Sequence, residues 1–555
     1  MSLQVWLPLN GNLENQGLSN ITITNNGATV DNNGKIGKCY KCSGDSRISF
    51  PSFNWMTMKP QNNFSFFFWV KGTTNGWLFA CSAWEFRLCP GYIQIHLAGN
   101  GQYPARYTST FDTNTWYHLG FTWSGSDGKL LLYLNGSKVA ESNVPSSANY
   151  DIASTFNIPY DGPRYLNDVR IYDHCLSAKE VKELAKGLVL HYRLTGPGQE
   201  NLVTSLSAGG QTSIDGTYSV HTSKTNADTY FYANLSSSLN PGDKVTVSCD
   251  VSGFSSNNYQ WNFPFWSQGS GLAFWLKNGH CSQTFTVPSG ATASNRIIFD
   301  DNGAINGFTR GDSIIYIKNF KVERGSVQTP WCPNPADALY DAMGYNNNIE
   351  YDCSGFKNNG TKSGNITWDI DSPRYTTSYK FNTGSDYIKT NFSETMDELS
   401  ISFWVKPSSS NGGYSIICSN YNSPSGGLWL ATNCEGCSVW AYRGAYMSVS
   451  GSLTNNVWHH CVYTFKNGVS KWYVDGEEKT LTQNTYTGTT MPVTDLTIGN
   501  SYTGTSWNTK RYGNLSDFRL YCTALSAEDI AELYHSAAIV DNTGKSYAYE
   551  YFEAQ

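Results

Sequence analysis

The segment at residues 62–72 reads NNFSFFFWVKG, and the segment at residues 398–408 reads ELSISFWVKPS. Both belong to regions in which apolar residues alternate with a period of two, a pattern typical of β-strands. The shared Trp-Val-Lys places Trp69 and Trp404 335 residues apart. The recurrence of a strand-like segment with the same C-terminal residues predicts that the chain contains two copies of one β-rich unit.

Three more pairs of segments follow in the same order in both halves of the chain. Small changes in their offset indicate loops of different length. Asn-Gly at residues 135–136 and Asp-Gly at residues 475–476 favour tight hairpins, so each copy is expected to be mostly antiparallel sheet. The pairs are NTWYHLGFTW at 114–123 with NNVWHHCVYTF at 455–465, LLLYLNGSK at 130–138 with SKWYVDGEEK at 470–479, and NDVRIYDHCLSAKEVKEL at 167–184 with SDFRLYCTALSAEDIAEL at 516–533.

Each copy is expected to end in one short helix. Ser177 is followed three residues later by Glu180, and Ser526 by Asp529. This is the spacing of a capping box, in which the two side chains satisfy backbone N–H groups at the start of a helix. Apolar residues at helical spacing follow in both places.

The second copy is interrupted after its first strand. VLHYRLTG at 189–196 resembles VWLPLNG at 5–11, but the next matching strand lies about 150 residues later than the first copy would place it. The residues between have strand patterns and turn dipeptides of their own, and insertion at a surface loop is physically easy. The expected segments are a sandwich at 1–187, the first strand of a second sandwich at 188–196, an inserted β-sandwich at 197–336, the remainder of the second sandwich at 337–537 and a C-terminal extension at 538–555.

The composition excludes several classes of protein. The chain has 18 Trp, 36 Tyr and 27 Phe, while charged residues make up only 15% of its 555 residues. This aromatic content excludes a disordered chain, and no apolar run approaches the ~20 residues that a membrane helix needs. The 38 basic and 44 acidic side chains are scattered, which argues against a nucleic-acid partner. The N-terminus MSLQVWLPLN lacks the pattern of a secretion signal.

The fourteen cysteines are expected to be reduced. Cys249, Cys418 and Cys461 lie inside apolar strand patterns, where a thiol behaves as a small hydrophobic group. Two C-x-x-C pairs, at residues 39–42 and 434–437, would close a zinc site only if the fold brought them together. They fall in different predicted domains, so no metal is expected.

The repeated segments carry a family resemblance. They include DCSGFKNNGT at 352–361, SISFWVK at 400–406, NVWHHCVYTF at 456–465, WYVDGEE at 472–478 and LSDFRLYCTALSAEDIAEL at 515–533. These motifs, and more weakly those of the first copy, resemble the concanavalin A-like, laminin G-like jelly-roll superfamily over roughly 390 residues. The resemblance implies an all-β chain: two large jelly-roll sandwiches, each ending in one short helix, and a smaller sandwich or jelly-roll inserted in the second.

Two further resemblances concern the insert and the arrangement of the modules. SLNPGDKVTVSCDVSG at 238–253 and IKNFKVERGS at 317–326 are similar to segments of the jelly-roll carbohydrate-binding modules of polysaccharide enzymes. GLVLHYRL at 187–194, KVERGSVQTPWCPNPAD at 321–337 and SYAYEYFE at 546–553 together resemble tail and receptor-binding proteins of bacteriophages and prophages of Gram-positive hosts.

The resemblance implies non-catalytic, lectin-like attachment of a phage tail to a bacterial cell-surface glycan. Other tail proteins would be partners, and a homo-oligomer would raise avidity, because single glycan contacts are weak. The location would be the virion, assembled in the reducing host cytoplasm, where disulfides are rare. Three alternatives stay open: an extracellular or cell-surface bacterial adhesin or glycan-scavenging protein, a structural tail spacer, and a glycoside hydrolase or lyase with an unrecognised site.

No catalytic residue or cofactor is assigned. Concanavalin A-like glucanases place paired carboxylates on one strand, and no E-x-D-x-x-E strand occurs here. His459 and His460 lie beside Trp458, but His118 holds the corresponding place in the first copy, which favours a role in the fold. No G-x-S-x-G segment follows a strand and opens a helix.

Aromatic residues without a partner in the other copy are the better candidates for a glycan site. A sugar stacks its C–H face on an aromatic ring and hydrogen-bonds amides around that ring. The insert segment at 257–275 is rich in both residue types. The main candidates in this segment are Trp261, Trp266, Tyr259, Gln260, Asn262 and Gln268.

A second set of candidates lies between the repeated strands. In the first copy these are Trp84, Tyr92, Tyr103 and Tyr107. In the second copy they are Trp440, Tyr442, Arg443 and Tyr446. The alternative for each is a place in the core of the sheet. Aromatics that recur in both copies, such as Trp69 with Trp404, are expected to be structural.

Overall fold

A computed structural model provides the coordinates of the chain. Its described part is nearly all antiparallel β-sheet with two short helices, which confirms the all-β class with concanavalin A-like jelly-roll domains in two regions. None of the described helices is long and apolar enough to cross a membrane. The described residues are 3–81, 84–97, 102–144, 155–159, 163–194, 201–207, 218–222, 230–253, 260–264, 273–290, 292–300, 305–306, 313–324, 348–369, 371–374, 377–383, 385–408, 414–419, 428–433, 438–442, 446–449, 453–481, 483–484, 488–499 and 513–535.

The first sandwich consists of an eight-stranded and a seven-stranded sheet that face each other. The strands of the eight-stranded sheet are β1 (Leu3–Leu7), β3 (Thr29–Asp31), β4 (Cys39–Cys42), β6 (Asn63–Lys71), β11 (Trp116–Ser124), β12 (Lys129–Leu134), β13 (Ser137–Asn143) and β15 (Arg164–Tyr172). Those of the seven-stranded sheet are β2 (Thr24–Asn26), β5 (Arg47–Phe50), β7 (Trp77–Ala80), β8 (Trp84–Cys89), β9 (Tyr92–Leu97), β10 (Gln102–Thr108) and β14 (Phe156–Ile158).

Alternating side chains of the repeated strand β6 build the core of this sandwich. Phe64, Phe66 and Phe68 are fully buried in one cluster with residues of both sheets. Phe66 of β6 meets Phe79 of β7 edge to face, with ring centroids 4.4 Å apart. The sequence segment that defines the repeat therefore joins the two sheets.

The second sandwich repeats this strand order with an eight-stranded and a nine-stranded sheet. The strands of the eight-stranded sheet are β16 (Leu188–Tyr192), β29 (Thr367–Asp369), β30 (Ser378–Phe381), β33 (Glu398–Pro407), β38 (His459–Lys466), β39 (Val469–Val474), β40 (Glu477–Lys479) and β44 (Gly513–Tyr521). Those of the nine-stranded sheet are β27 (Ile349–Glu350), β28 (Gly360–Ser363), β31 (Tyr387–Lys389), β34 (Tyr414–Ser419), β35 (Trp429–Asn433), β36 (Ser438–Tyr442), β37 (Tyr446–Val449), β41 (Gln483–Asn484) and β43 (Thr497–Ile498). A separate pair is β32 (Glu394–Met396) with β42 (Met491–Val493).

Strand β16 pairs with β44 of the second sandwich, as β1 pairs with β15 of the first. The strands between β16 and β27 form three sheets that contain only one another. This is the pairing that an inserted middle module requires, and its residue bounds stay a prediction. These strands are β17 (Val203–Ser207), β18 (Tyr218–Thr222), β19 (Tyr230–Leu239), β20 (Lys244–Ser252), β21 (Gln260–Pro264), β22 (Ala273–Leu276), β23 (Gly279–Thr286), β24 (Ser294–Asp300), β25 (Ile305–Asn306) and β26 (Ser313–Arg324).

Both predicted hairpins adopt the backbone that a two-residue turn needs. Asn135 and Gly136 have φ angles of 47° and 82°, and Asp475 and Gly476 have φ angles of 52° and 83°. Two consecutive positive φ angles define a type I′ turn, whose twist matches that of the flanking strands.

Both predicted helices are present, α1 at Ala178–Ala185 and α2 at Ala527–His535. Ser177 and Glu180 form a capping box at the start of α1. At the start of α2 the Asp529 N–H donates to Ser526 Oγ over 3.1 Å, and the Ser526 N–H donates back to the Asp529 carboxylate. The capping predictions are confirmed.

The two sandwiches pack against each other through apolar and charged contacts. The rings of Trp6 and Phe356 meet edge to face with centroids 5.3 Å apart. Lys182 of α1 lies 3.1 Å from a carboxylate oxygen of Glu532 of α2 and 3.3 Å from one of Asp529. The connection between the sandwiches is short, because α1 ends only a few residues before β16 begins.

The cysteines of the described residues are free thiols, and most of them are buried. Cys39 and Cys42, the first C-x-x-C pair, are both fully buried, and burial raises the pKa of each thiol to about 12. The second pair, at residues 434–437, lies outside the described residues. Within the described part of the chain, no group of three or more His, Cys, Asp or Glu side chains is arranged to hold a metal ion.

Candidate ligand-binding face

Strands β7–β10 form one end of the seven-stranded sheet, and their solvent side is the candidate site. On β8 the residues Trp84, Phe86 and Leu88 point into the core, so Glu85 and Arg87 between them lie on the opposite side of the sheet. We call this opposite side the outer face. It carries Trp77, Glu85, Arg87, Tyr92, Gln94, His96 and Arg106.

One half of the outer face is built around Trp77. The Arg87 guanidinium lies over the Trp77 ring, with its central carbon 3.2 Å from the ring centroid. The His96 ring lies on the same tryptophan at a centroid distance of 5.5 Å. His96 Nδ1 is 2.8 Å from a carboxylate oxygen of Glu85. Each of these side chains is only partly buried, so the group is open to a ligand.

The other half of the outer face is built around Tyr92. The guanidinium carbon of the exposed Arg106 lies 3.9 Å from the centroid of the Tyr92 ring. A hydrogen bond with the Cys89 thiol and partial burial raise the pKa of the Tyr92 phenol, although nearby Arg87 acts in the opposite direction. Tyr92 therefore stays neutral and offers a hydroxyl group at ordinary pH.

Gln94 lies between these halves. It is the cross-strand neighbour of Arg87 on one side and of Arg106 on the other. Its side chain is only 2% exposed, and its Oε1 has no hydrogen-bond partner among the described residues. Buried polar atoms normally have a partner, so this acceptor is a point at which a ligand donor would be favoured.

The structure corrects one sequence-based candidate of the first copy and locates the others. Trp84 is 0% exposed in the core, and its indole Nε1 donates to the Met56 carbonyl over 3.1 Å, so it is a core residue and not a ligand contact. Tyr107 is half-buried and packs against the same core. Tyr92 lies on the outer face, and Tyr103 lies on β10, where only its backbone is described.

The candidates of the second copy lie on the equivalent strands of the nine-stranded sheet. Trp440 and Tyr442 belong to β36, and Tyr446 belongs to β37. Tyr442 pairs directly with Tyr446 in the backbone register, and Trp440 pairs with Ser448. Their role as ligand contacts stays a prediction, and Arg443 lies outside the described residues.

The candidates of the insert are only partly described. Gln260, Trp261 and Asn262 are backbone positions of β21, where Trp261 pairs with Leu276 and Asn262 with Trp275. Tyr259, Trp266 and Gln268 lie outside the described residues. A glycan site in the insert stays a prediction.

Sequence reasoning missed Trp77, Arg87 and His96. The strand WEFRLC contained a signal, because the alternation of Trp84, Phe86 and Leu88 with charged residues indicates which side chains leave the core. The grouping itself joins side chains of three different strands, and only the observed register reveals it.

The histidines beside the repeated tryptophans occupy interior positions. Burial lowers the pKa of His118 and of His460 to about 3. The His118 ring lies 5.1 Å from that of Trp69, and the His460 ring lies 5.1 Å from that of Trp404. The two copies therefore use histidine in the same buried, neutral role.

A groove lies beside α2 in the second sandwich. It has a volume of about 650 Å³, and its lining includes Asp475, Glu477, Lys479 and Tyr534. Its Lys479 is paired with Glu477 over 2.6 Å, and Tyr534 stacks on Trp404 with a centroid distance of 5.8 Å. The outer face carries Trp77 and Tyr92, whereas the groove lining has Tyr534, so the outer face offers more aromatic surface and is the better candidate for a ligand site.

Comparison with known proteins gives one family. The profile described as the concanavalin A-like lectin/glucanases superfamily matches residues 43–182 and 382–531, which together make up slightly more than half of the chain. No curated protein shows significant sequence similarity to this chain.

Three solved structures of low sequence identity are similar to this chain. Domain 4 of AbnA, a GH43 extracellular arabinanase from Geobacillus stearothermophilus, in complex with arabinotriose, is 22% identical over 33% of this chain and 98% of that domain, with a TM-score of 0.27. The binding domain of Paraclostridial Mosquitocidal Protein 1 is 11% identical over 86% of this chain and 92% of its own, with a TM-score of 0.32. The botulinum neurotoxin serotype D binding domain is 13% identical over 59% and 98%, with a TM-score of 0.28.

Proposed function

The chain belongs to the concanavalin A-like lectin/glucanases superfamily, and on that premise we propose that it binds a carbohydrate without cleaving it. The observation that carries the proposal is the outer face of β7–β10. There Trp77 and Tyr92 supply aromatic surface, and Gln94 and His96 supply hydrogen-bonding groups beside them. Apolar contact area with a few oriented polar groups is the composition of a sugar site.

The arrangement of carboxylates favours binding over hydrolysis. Glycoside hydrolases of the usual kind need two carboxyl groups about 5–9 Å apart across the scissile bond. Glu85 is the one acidic residue in the sequences of β7–β10, and its side chain is already engaged by His96. The strands β7–β10 therefore do not themselves supply the pair that acid–base cleavage of a glycan requires.

The biological setting that we propose is attachment of a bacteriophage tail to the surface of a Gram-positive bacterium. It rests on the sequence resemblance of the module arrangement to phage and prophage tail proteins. The chain would act in the virion, next to other tail proteins and in several copies, since repeated weak contacts raise avidity. A bacterial adhesin at the cell surface is the second candidate, because the same binding face would serve it equally well.

Binding to an array of Gram-positive cell-wall polysaccharides and common glycans tests the proposal, with product analysis of every hit. Trp77→Ala is expected to lower the affinity at least ten-fold. The matched control is Trp116→Ala, because Trp116 is also half-buried and also lies beside a cation, Lys71, but on the other sheet. Trp261→Ala tests the insert.

Three outcomes would change the proposal. Cleaved products would make the chain an enzyme. Loss of binding in Trp261→Ala, with no loss in Trp77→Ala, would move the site to the insert. If the chain binds no glycan of the array, a structural spacer or a protein receptor is favoured. For the biological setting, the labelled chain is expected to bind intact Gram-positive cells and to lose that binding once the surface polysaccharide is removed.

A further inference from the structure

We propose that the outer face recognises an anionic group of its glycan, a carboxylate or a phosphate, held by Arg87 and Arg106. This inference rests on the proposed function and names the class of glycan. It starts from the positions of the two arginines, which occupy neighbouring places across the central strand β9 on either side of Gln94. With strands about 4.8 Å apart, their Cα atoms are separated by about 10 Å.

The first argument is that neither arginine forms an ion pair with an acid among the residues that the structure describes. Other arginines of the chain lie against acids: Arg170 is 2.9 Å from Asp168, and Arg519 is 2.8 Å from Asp517. Neither Arg87 nor Arg106 makes such an ion pair with any residue that the structure describes, and Arg87 Nε is buried without a hydrogen-bond partner.

The second argument is the local balance of charge. The one carboxylate of these strands, Glu85, is engaged by His96. As far as the described residues go, two guanidinium groups therefore lack an acidic partner on a small area of a chain whose formal net charge is −6. Like charges held close together are unfavourable, so an anion between them would be stabilised by both.

The third argument is preorganisation. Each guanidinium carbon lies over an aromatic ring, that of Arg87 3.2 Å from the Trp77 centroid and that of Arg106 3.9 Å from the Tyr92 centroid. These contacts hold each guanidinium in place, and a guanidinium can grip carboxylate or phosphate oxygens in two parallel hydrogen bonds. An ordered guanidinium also loses less entropy when it binds.

The fourth argument is the neighbouring acceptor. Gln94 lies between the arginines in the strand register, and its Oε1 lacks a hydrogen-bond partner in the described part of the chain. The two guanidinium groups can donate hydrogen bonds to an acidic group, and the Gln94 oxygen can accept one from a neighbouring hydroxyl. An acidic group beside a hydroxyl is the pattern of a sugar acid or of a phosphate ester on a polyol. A neutral sugar would satisfy the acceptor and leave both cations unpaired.

The test measures the affinity of the full chain for four polymers: polygalacturonate, its fully methyl-esterified form, poly(glycerol phosphate) and dextran. The wild-type chain is expected to bind one anionic polymer at least ten-fold more tightly than the methyl ester and dextran, and to lose this preference in 1 M NaCl because salt screens the charges. Tighter binding of polygalacturonate assigns a carboxylate, and tighter binding of poly(glycerol phosphate) assigns a phosphate.

The variants separate this inference from the proposed function. Arg87→Gln combined with Arg106→Gln is expected to abolish the preference, so that the anionic and the neutral polymers bind with affinities within two-fold of one another. The control is Arg47→Gln, which removes one positive charge towards the far end of the same sheet. If the wild-type chain binds all four polymers equally and Trp77→Ala weakens this binding, the anionic site is overturned and the glycan-binding function is kept. If no polymer is bound, both proposals are overturned.

Discussion

Trp77 and Trp84 lie close in sequence but have opposite surroundings. Trp77 is half-buried on the outer face under the Arg87 guanidinium, whereas Trp84 is 0% exposed among the core phenylalanines. Trp84→Ala is therefore expected to lower the free energy of unfolding by about 3–5 kcal/mol. Trp77→Ala is expected to change it by less than about 1 kcal/mol and to lower glycan affinity instead. Urea denaturation and glycan titration of both variants measure the contrast, and a stable Trp84→Ala protein that has lost binding would contradict it.

His118 gives a prediction about pH. Burial lowers its pKa to about 3, while the unfolded chain returns it to about 6.5. Above pH 6.5 neither state is protonated at this site, so the group has no effect. As the pH falls from about 6.5 towards 3, only the unfolded chain takes up the proton, and stability is lost by up to about 1.4 kcal/mol per pH unit.

The check on His118 compares wild type with His118→Gln, which removes the titrating group. The free energy of unfolding is measured with urea at pH 7, 6, 5 and 4. As the pH falls, the wild type is expected to lose more stability than His118→Gln, so the difference between the two free energies shifts in favour of the variant. A difference that stays constant over this range would mean that His118 titrates normally in the folded protein.

At the scale of single elements, the capping box of α1 gives a local test. The Glu180 N–H donates to Ser177 Oγ, and the Ser177 N–H donates to the Glu180 carboxylate. Ser177→Ala removes the first of these bonds and is expected to lower the free energy of unfolding by about 1 kcal/mol. The exposed Lys179→Ala in the same turn is the control, and an equal effect of both substitutions would exclude a capping contribution.

The strands, hairpins and helices could be predicted because each depends on local sequence. Alternation marked β6 and β33, the Asn135-Gly136 dipeptide marked a turn, and Ser177 marked a helix start. The side of the sheet that faces the core was harder to predict. Trp84 became a candidate because it has no partner in the other copy, but burial depends on which strands cover it. The site residue Trp77 becomes recognisable only when β7 lies beside β8.

At the scale of the whole molecule, the two sandwiches share one continuous apolar cluster. It contains Phe67 and Trp69 from the side of β6 that packs against the second sandwich, Val181 from α1, and core residues of the second sandwich such as Phe403. Lys35 of the first sandwich pairs with Glu398 of the second, and its side chain is only 3% exposed. The relative placement of the sandwiches is therefore part of the fold and not a matter of a loose linker.

Gly187 lies at the joint between the sandwiches and provides the test of this view. Its carbonyl accepts a 2.8 Å hydrogen bond from the N–H of Cys522 of the second sandwich. Its φ is +65°, and a Cβ at this position would overlap the Cys522 sulfur. Gly44 is the matched control, since its φ is +57° and a Cβ there would meet no atom within 4 Å.

Both Gly→Ala substitutions impose the left-handed strain of about 1 kcal/mol, but only Gly187→Ala also forces the second sandwich to move. The free energy of unfolding of Gly187→Ala, measured with urea, is expected to fall by a further ~1–3 kcal/mol, as overpacking of a filled interior does. It is also expected to become sensitive to proteases between α1 and β16, where Gly44→Ala stays resistant. If the two variants were equally stable and equally resistant, the joint would tolerate displacement, and the sandwiches would have to be regarded as independently placed modules.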